Sequence, residues 1–454
     1  MDPVQDIGRW SWKYAVVKFL AKTAFRLFYR KIRVNGKENI PGGGGLIFAA
    51  NHQNALMDAL AVIMTVGYQP VYLARADIFK NPVIARILMF LKIMPVYRFR
   101  DGVESMGQNE DTFEKTSAVL KNGGCIGIMP EGNHGEMKRL RLLKKGIFRI
   151  AFKASERSDC QQDIKIVPVG IDYSNTSRLF EELVVNYGKP LSVKDYLHLY
   201  EKHPQKGINS MKDKLAESMR PLIIDIKDES NYYKDRLLSI IGSTIVRIKL
   251  AGKKSGVPGN FEITRMFSRV MYEYFEKNPD EAVRIRSECT KLIELLDDNR
   301  ISHEIAGNSG KTPAFLLAAT RIICFPFFIA GYLLNIIPWF IIHLALRKLK
   351  DPQFISSFKF VLGFILVPLN YLLLGLLFFS FLPVIVAAPL LLATPLTGYL
   401  AYNCFRQSFK TREIIHFREI CANNPDIEAS FLEMRDTIGR SLEPVILAST
   451  KKLK

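Results

Sequence analysis

The sequence predicts an α/β fold in which a sheet is flanked by helices, followed by a helical region and by C-terminal transmembrane helices. Short apolar runs at residues 46–50 and 125–129 have the length of buried strands, and helix-like runs alternate with them. No charged residue occurs between residues 360 and 405. A single transmembrane helix needs about 20 apolar residues, so this stretch suits two spans or one deep helical hairpin.

Residues 1–40 are predicted to form a basic amphipathic helix in a membrane interface. Between residues 9 and 33, aromatic and aliphatic side chains recur at near-helical spacing, with lysines and arginines between them. Aromatic rings suit the headgroup zone and cations suit anionic lipid. The alternative is a helix packed on the rest of the protein. Lysines interrupt the apolar stretch, so it is not typical of a signal peptide.

Residues 41–200 contain the alternating apolar runs and carry candidate functional residues at strand ends. His52 and Asp58 follow the first run, at the step into a helix over residues 55–64. A histidine can accept a proton near neutral pH, and a carboxylate can fix its tautomer and stabilise the imidazolium. At the mouth of a strand-to-helix turn, such a pair is suited to activate a hydroxyl for acyl transfer.

Three further segments follow in order. Arg98 and Arg100 end an apolar run and can fork onto a phosphate. The sequence Pro-Glu-Gly-Asn-His begins at Pro130, and Val-Pro-Val-Gly occupies residues 167–170. Together, the four segments resemble the four blocks of the phospholipid/glycerol acyltransferase family, over residues 10–200. The resemblance implies a glycerol-phosphate-acyltransferase-like sheet.

The resemblance also implies residue roles. His52 would be the general base on the acceptor hydroxyl, and Asp58 its orienting partner. The other matching positions are implied to serve the substrates: Arg98, with Arg100, binds the acceptor phosphate, Glu131 and Gly132 shape the acceptor site, Lys145 belongs to the basic step after the third block, and Pro168 lies in the segment that lines the acyl or acceptor pocket.

The sequence departs from the family pattern in two of the four blocks. The family's usual spacing is His-x4-Asp, whereas Asp58 lies one residue further on. One residue turns a helical side chain by about 100°, so a wider turn near His52 is required. The third block usually reads Glu-Gly-Thr-Arg, and here Asn133 and His134 stand in the last two places. In both respects the sequence is similar to the glycerol-3-phosphate acyltransferases of the fungal endoplasmic reticulum. The acceptor is therefore open between glycerol 3-phosphate and its 1-acyl derivative.

The residues favour direct transfer of the acyl group from the thioester to the acceptor hydroxyl, without an acyl-enzyme intermediate. No Gly-x-Ser-x-Gly motif occurs, so an acyl-enzyme is not expected. Backbone N–H groups at the helix start after His52 are candidate oxyanion donors. We expect no metal and no cofactor, with acyl-CoA or acyl-ACP as co-substrate.

The remaining chain divides into a charged helical region at 201–312 with no assigned chemistry, a membrane region at 313–405, and a basic helical tail at 406–454. The membrane region holds two apolar runs, and Pro383 is the predicted bend of the second. Every flank is basic, which favours the cytoplasmic side. We therefore expect a multi-pass or deeply monotopic protein whose catalytic domain faces the cytoplasm.

The formal net charge of +19 is consistent with nucleic acid, anionic lipid or acidic substrates as partners. No nucleic-acid-binding motif is recognisable, so the bilayer is the expected partner and nucleic acid is not. Six scattered cysteines indicate free thiols. The predicted function is membrane O-acyl transfer to glycerol 3-phosphate or 1-acylglycerol 3-phosphate in phospholipid biosynthesis. The alternatives are another lysophospholipid acceptor and an inactive lipid-binding scaffold.

Overall fold

The computed structural model describes residues 7–96, 104–156, 163–251, 258–307 and 325–453. Its contacts divide the chain into two compact units. The first comprises Met1–Ile223 together with Leu349–Phe360, and the second comprises Ile224–Lys348 and Val361–Lys454.

The first unit is built on an eight-stranded sheet in the order β1-β7-β6-β2-β5-β3-β4, with β8 paired to β6. Strands β2 to β6 are mutually parallel, whereas β7 and β8 run antiparallel to β6. The parallel strands end at one edge of the sheet, which is where ligands bind in such folds. The strands are β1 (Lys31–Asn35), β2 (Leu46–Ala50), β3 (Val71–Arg75), β4 (Ile93–Val96), β5 (Cys125–Ile128), β6 (Lys165–Tyr173), β7 (Glu182–Tyr187) and β8 (Leu191–Ser192).

Helices cover both faces of this sheet, as predicted. In β2, Leu46 and Phe48 pack with α1 and α2, whereas Ile47 and Ala49 pack with α5 and α7. A strand buried on both faces is apolar throughout, which explains its continuous apolar run. The helices of this unit are α1 (Trp12–Phe28), α2 (Ala55–Thr65), α3 (Pro82–Phe90), α4 (Glu104–Lys121), α5 (Gly146–Glu156), α6 (Lys194–Lys202) and α7 (Pro204–Met219).

Two details differ from the sequence prediction. The N-terminal helix ends at Phe28, well inside the segment 1–40 that is predicted to be helical, because the chain becomes extended at Tyr29 and β1 pairs with β7. A strand pairing across the sheet thus overrides the local helical pattern. The first unit also continues beyond residue 200, to Ile223, because α7 buries Met211 and Leu215 against the sheet.

The second unit is helical. Its core contains Phe267, Ile285 and Phe431, and a buried Asp235 accepts hydrogen bonds from Arg286 and from the hydroxyl of Tyr272. Its helices are α8 (Tyr232–Ala251), α9 (Asn260–Lys277), α10 (Pro279–Asp298), α11 (Phe325–Leu334), α12 (Ile336–Arg347), α13 (Ile355–Phe381, of which the first turns belong to the first unit), α14 (Val384–Asn423), α15 (Pro425–Ser441) and α16 (Glu443–Lys452).

Two stretches of helix, Pro352–Phe381 and Val384–Asn423, are long and apolar enough to cross a membrane. They separate at Pro383, the predicted bend. Helices α11 and α12 are bent by 78° at a short break, so they form either a broken span or a re-entrant pair. Within the described residues, the candidate spans therefore number two, or three if the bent pair is one span.

Candidate active site

His52 and Asp58 are in direct contact at the carboxyl end of β2. His52 Nδ1 lies 2.8 Å from Asp58 Oδ2. The Asp58 side chain is fully buried, while 17% of the His52 side chain is exposed. A carboxylate can only accept a hydrogen bond, so Nδ1 is the donor, and in a neutral imidazole Nε2 then has the lone pair. The arrangement therefore presents a proton-accepting nitrogen at the edge of the sheet.

The turn after His52 supplies the extra residue between the two side chains. Ala55 adopts φ +41°, in the left-handed region that residues with a Cβ rarely occupy. Asp58 Oδ2 accepts hydrogen bonds from the backbone N–H groups of Gln53 and Asn54, both at 2.7 Å. The wider turn expected from the spacing is thus present. These two N–H groups, which precede the helix, donate to Asp58 and are therefore not available as oxyanion donors.

Tyr173 is a fourth partner of Asp58. Its hydroxyl donates to Asp58 Oδ1 at 2.8 Å, from the end of the neighbouring strand β6. Burial raises the pKa of Tyr173 well above its usual value, so the hydroxyl remains a neutral donor. Tyr173 is not among the residues predicted from the sequence, because only the strand order brings β6 beside β2.

Asn51 fixes the start of the same turn. Its side-chain amide donates to the carbonyl of Ile171 at 3.0 Å, and its oxygen accepts from the N–H of Ile171 at 2.7 Å. The side chain thus continues the β2–β6 pairing beyond the end of β2. This holds the backbone immediately before His52 in place.

The buried Glu131 forms an ion pair with the partly exposed Arg141, and this pair supports the backbone of His52. Glu131 Oε2 accepts from the His52 N–H at 3.2 Å and from Arg141 Nε at 3.0 Å. Arg141 also donates to the His52 carbonyl at 2.8 Å and to the Asn133 carbonyl. Burial raises the pKa of Glu131, although the Arg141 charge opposes that change. Arg141 was not predicted, and nothing in its local sequence distinguishes it from the neighbouring basic residues.

We expect Arg141→Ala to destabilise the protein by about 3 kcal/mol, because it leaves the Glu131 carboxylate buried without its ionic partner. Arg141→Lys keeps the charge but cannot make all of these contacts, so kcat/KM should fall by roughly tenfold. Urea denaturation and steady-state kinetics measure the two effects. Glu131→Gln in the Arg141→Ala background removes the unpaired charge and should recover part of the stability. No recovery would contradict the ion-pair account.

The other predicted site residues are distributed as follows. Gly132 has φ +76°, and a Cβ there would lie 3.1 Å from the Lys144 side chain. Lys145 is exposed and donates to Gln205 at 2.9 Å, and Pro168 is buried within β6. Arg98 and Arg100 lie outside the described residues. In the part of the chain that the structure describes, no group of three or more His, Cys, Asp or Glu side chains is placed to hold a metal ion.

Part of this chain is similar to known acyltransferases. The sequence model of the family described as Acyltransferase matches residues 31–172. The 1-acyl-sn-glycerol-3-phosphate acyltransferase of Borreliella burgdorferi is 30% identical over 217 residues, which are 48% of this chain and 71% of the relative. Glycerol-3-phosphate O-acyltransferase 2 of Saccharomyces cerevisiae is 28% identical over 112 residues, 24% of this chain and 15% of the yeast protein.

Among solved structures, the 1-acyl-sn-glycerophosphate acyltransferase PlsC from Thermotoga maritima is 21% identical. The similarity covers 44% of this chain and 79% of that one, with a TM-score of 0.31. The residues that match the family model include both the His52–Asp58 contact and the Glu131–Arg141 ion pair.

Proposed function

The chain belongs to the acyltransferase family, and on that premise we propose that it is a membrane O-acyltransferase of phospholipid biosynthesis. It would move a fatty acyl group from acyl-CoA or acyl-ACP to a hydroxyl of glycerol 3-phosphate or 1-acylglycerol 3-phosphate. The observation that carries this proposal is the 2.8 Å contact between His52 Nδ1 and the buried Asp58.

The chemistry follows from that contact. An alcohol is a poor nucleophile at neutral pH, so its proton must be removed as it attacks the acyl thioester. His52 Nε2 accepts this proton, and Asp58 stabilises the resulting imidazolium. The new ester C–O bond forms, the thioester C–S bond breaks, and the proton then passes from His52 to the departing thiolate.

The acceptor class rests on the relatives and on charge. The Borreliella burgdorferi relative is named for 1-acylglycerol 3-phosphate, and the Saccharomyces cerevisiae relative for glycerol 3-phosphate. Both compounds carry a phosphate monoester on the same glycerol backbone as the reacting hydroxyl. The net charge of +19 and the arginines at 98 and 100 suit such an anion.

Exposed apolar side chains of the first unit support action at a membrane surface. On α1, Trp12 is 63% and Phe19 69% exposed, although Tyr14, Phe25 and Phe28 on the same helix are buried. This matches a helix that packs on its own unit with one face and leaves the other for lipid. Helix α3 adds a second such surface, formed by Val83, Ile84, Ile87 and Phe90. We propose that these surfaces lie against the cytoplasmic leaflet.

The inactive scaffold is a weaker candidate. The displacement of Asp58 from the usual family position favours an inactive protein, but the contact between His52 and Asp58 counts against it.

Acyl transfer by the detergent-solubilised protein tests the proposal. Palmitoyl-CoA and palmitoyl-ACP are each offered with glycerol 3-phosphate or with 1-acylglycerol 3-phosphate, and product formation is measured for each pair. Turnover with one acceptor supports the proposal and identifies the substrate. No turnover with any of the four pairs would contradict it.

Arg98→Ala is expected to raise the acceptor KM by about tenfold to a hundredfold, since a charge-assisted hydrogen bond contributes roughly 1.5–3 kcal/mol. The donor KM should change little, because the phosphate belongs to the acceptor. Arg149→Ala, an exposed arginine on α5, serves as the matched control. An equal rise in both KM values would rule out the phosphate role.

A further inference from the structure

The segment that joins α12 to α13, together with the first turns of α13, is part of the first unit. Residues Leu349–Phe360 belong to the first unit, whereas the residues before and after them in sequence belong to the second. Lys359 Nζ donates to the carbonyl of Ser177 at 2.7 Å, and Ser356 Oγ donates to the carbonyl of Thr176. The Thr176 carbonyl also accepts from the side chain of Asn54, two residues after His52, at 3.0 Å. The segment is therefore attached directly beside the active-site turn.

The same segment supplies a carboxylate to a second histidine near the general base. Asp351 Oδ2 lies 2.9 Å from His134 Nε2. The ring of His134 meets the ring of His52 edge to face, with centroids 5.4 Å apart and planes at 86°. Phe354, from the same segment as Asp351, packs on His134 at 5.1 Å and 89°. Two side chains of the segment thus determine where the His134 ring lies.

The hydrogen bond also fixes the chemistry of that ring. A carboxylate accepts but does not donate, so Nε2 of His134 is the donor to Asp351. Nδ1 is then the ring nitrogen left for a contact with the substrate. The Asp351 carboxylate is itself held, because its Oδ1 accepts from the Gln353 N–H at 3.0 Å. The interaction with His134 lowers the pKa of Asp351, so this group remains an acceptor across the neutral range.

We propose that Asp351 is a positioning residue for acyl transfer, which holds the His134 ring beside His52 so that His134 contacts the bound substrate. The inference rests on the proposed role of His52 as general base. It extends the site beyond the family-matched residues 31–172, to a carboxylate that lies 217 positions after His134 in sequence. A segment between two apolar helices then takes part in the reaction rather than only joining them.

A double-mutant cycle on Asp351 and His134 tests this inference. Asp351→Ala should lower kcat/KM by roughly tenfold, within the range of coupling found for residues in contact. In the His134→Ala background, the same substitution should change kcat/KM by less than about twofold, because its effect acts through His134. Asp351→Asn retains an oxygen that can accept from Nε2, so it should recover part of the lost activity.

Two controls separate positioning from a general structural role. Ser356→Ala removes another attachment of the same segment without touching His134, and should leave kcat/KM close to that of the wild type. Asp297→Ala breaks a matched carboxylate–histidine contact with His303, at 2.8 Å, in the second unit. It should likewise leave activity unchanged.

The inference is overturned if Asp351→Ala leaves kcat/KM unchanged in an active enzyme. It is also overturned if Asp351→Ala has its full effect without His134, or if Ser356→Ala lowers activity to the same extent. If the wild-type protein transfers no acyl group from either donor to either acceptor, the proposed function itself fails, and this inference fails with it.

Discussion

Replacing His52 by alanine should lower the kcat of acyl transfer by about 10³-fold, within the range for loss of a general base. The acceptor hydroxyl would then have no group to take its proton as it attacks the thioester. The fold should survive, because Asp58 keeps three other donors, from Gln53, Asn54 and Tyr173. Rapid-quench or steady-state assays with palmitoyl-CoA, together with thermal denaturation, measure the two properties separately.

A matched substitution sharpens that test. His303 also contacts a carboxylate, Asp297, but lies in the second unit and outside the family-matched residues. His303→Ala should therefore retain wild-type turnover. If His52→Ala stayed as active as His303→Ala, the general-base role of His52 would be wrong.

Asp58→Ala should cause two losses at once. Asp58 is fully buried and accepts from four donors, so alanine leaves the N–H groups of Gln53 and Asn54 without their acceptor. An unsatisfied buried donor costs about 1–3 kcal/mol, so we expect a loss of roughly 3 kcal/mol in the free energy of unfolding. Activity should fall by about 10²-fold or more, because the imidazolium of His52 loses its stabilising charge.

Asp58→Asn separates these two losses. An asparagine oxygen can still accept at the Oδ2 position, and the Tyr173 hydroxyl can turn to accept from the new amide group. Stability should therefore fall much less than in Asp58→Ala, while the activity loss should be similar, because the negative charge is gone. Urea denaturation and kcat measurements distinguish the variants. Equal stability of Asp58→Ala and the wild type would show that the turn does not depend on this carboxylate.

The local elements of the first unit could be predicted from the sequence. The strand β2 and the helix α2 follow from an apolar run and from helical periodicity, which depend only on neighbouring residues. His52 and Asp58 lie at the step from β2 into α2, and their spacing predicts both the pair and the wider turn between its members. The structure provides this turn with Ala55 in the left-handed region. Motif order then gave the acyltransferase family.

The partners that complete the site were decided by tertiary structure alone. Tyr173 reaches Asp58 because β6 lies next to β2, and periodicity carries no information about strand order. Asp351 reaches His134 only because the segment Leu349–Phe360 packs within the first unit. The early end of α1 has the same origin, since β1 exists by pairing with β7. The sequence by itself determined the elements and the pairing of His52 with Asp58, because these depend on local chemistry. Long-range packing decided which distant side chains hold them in place.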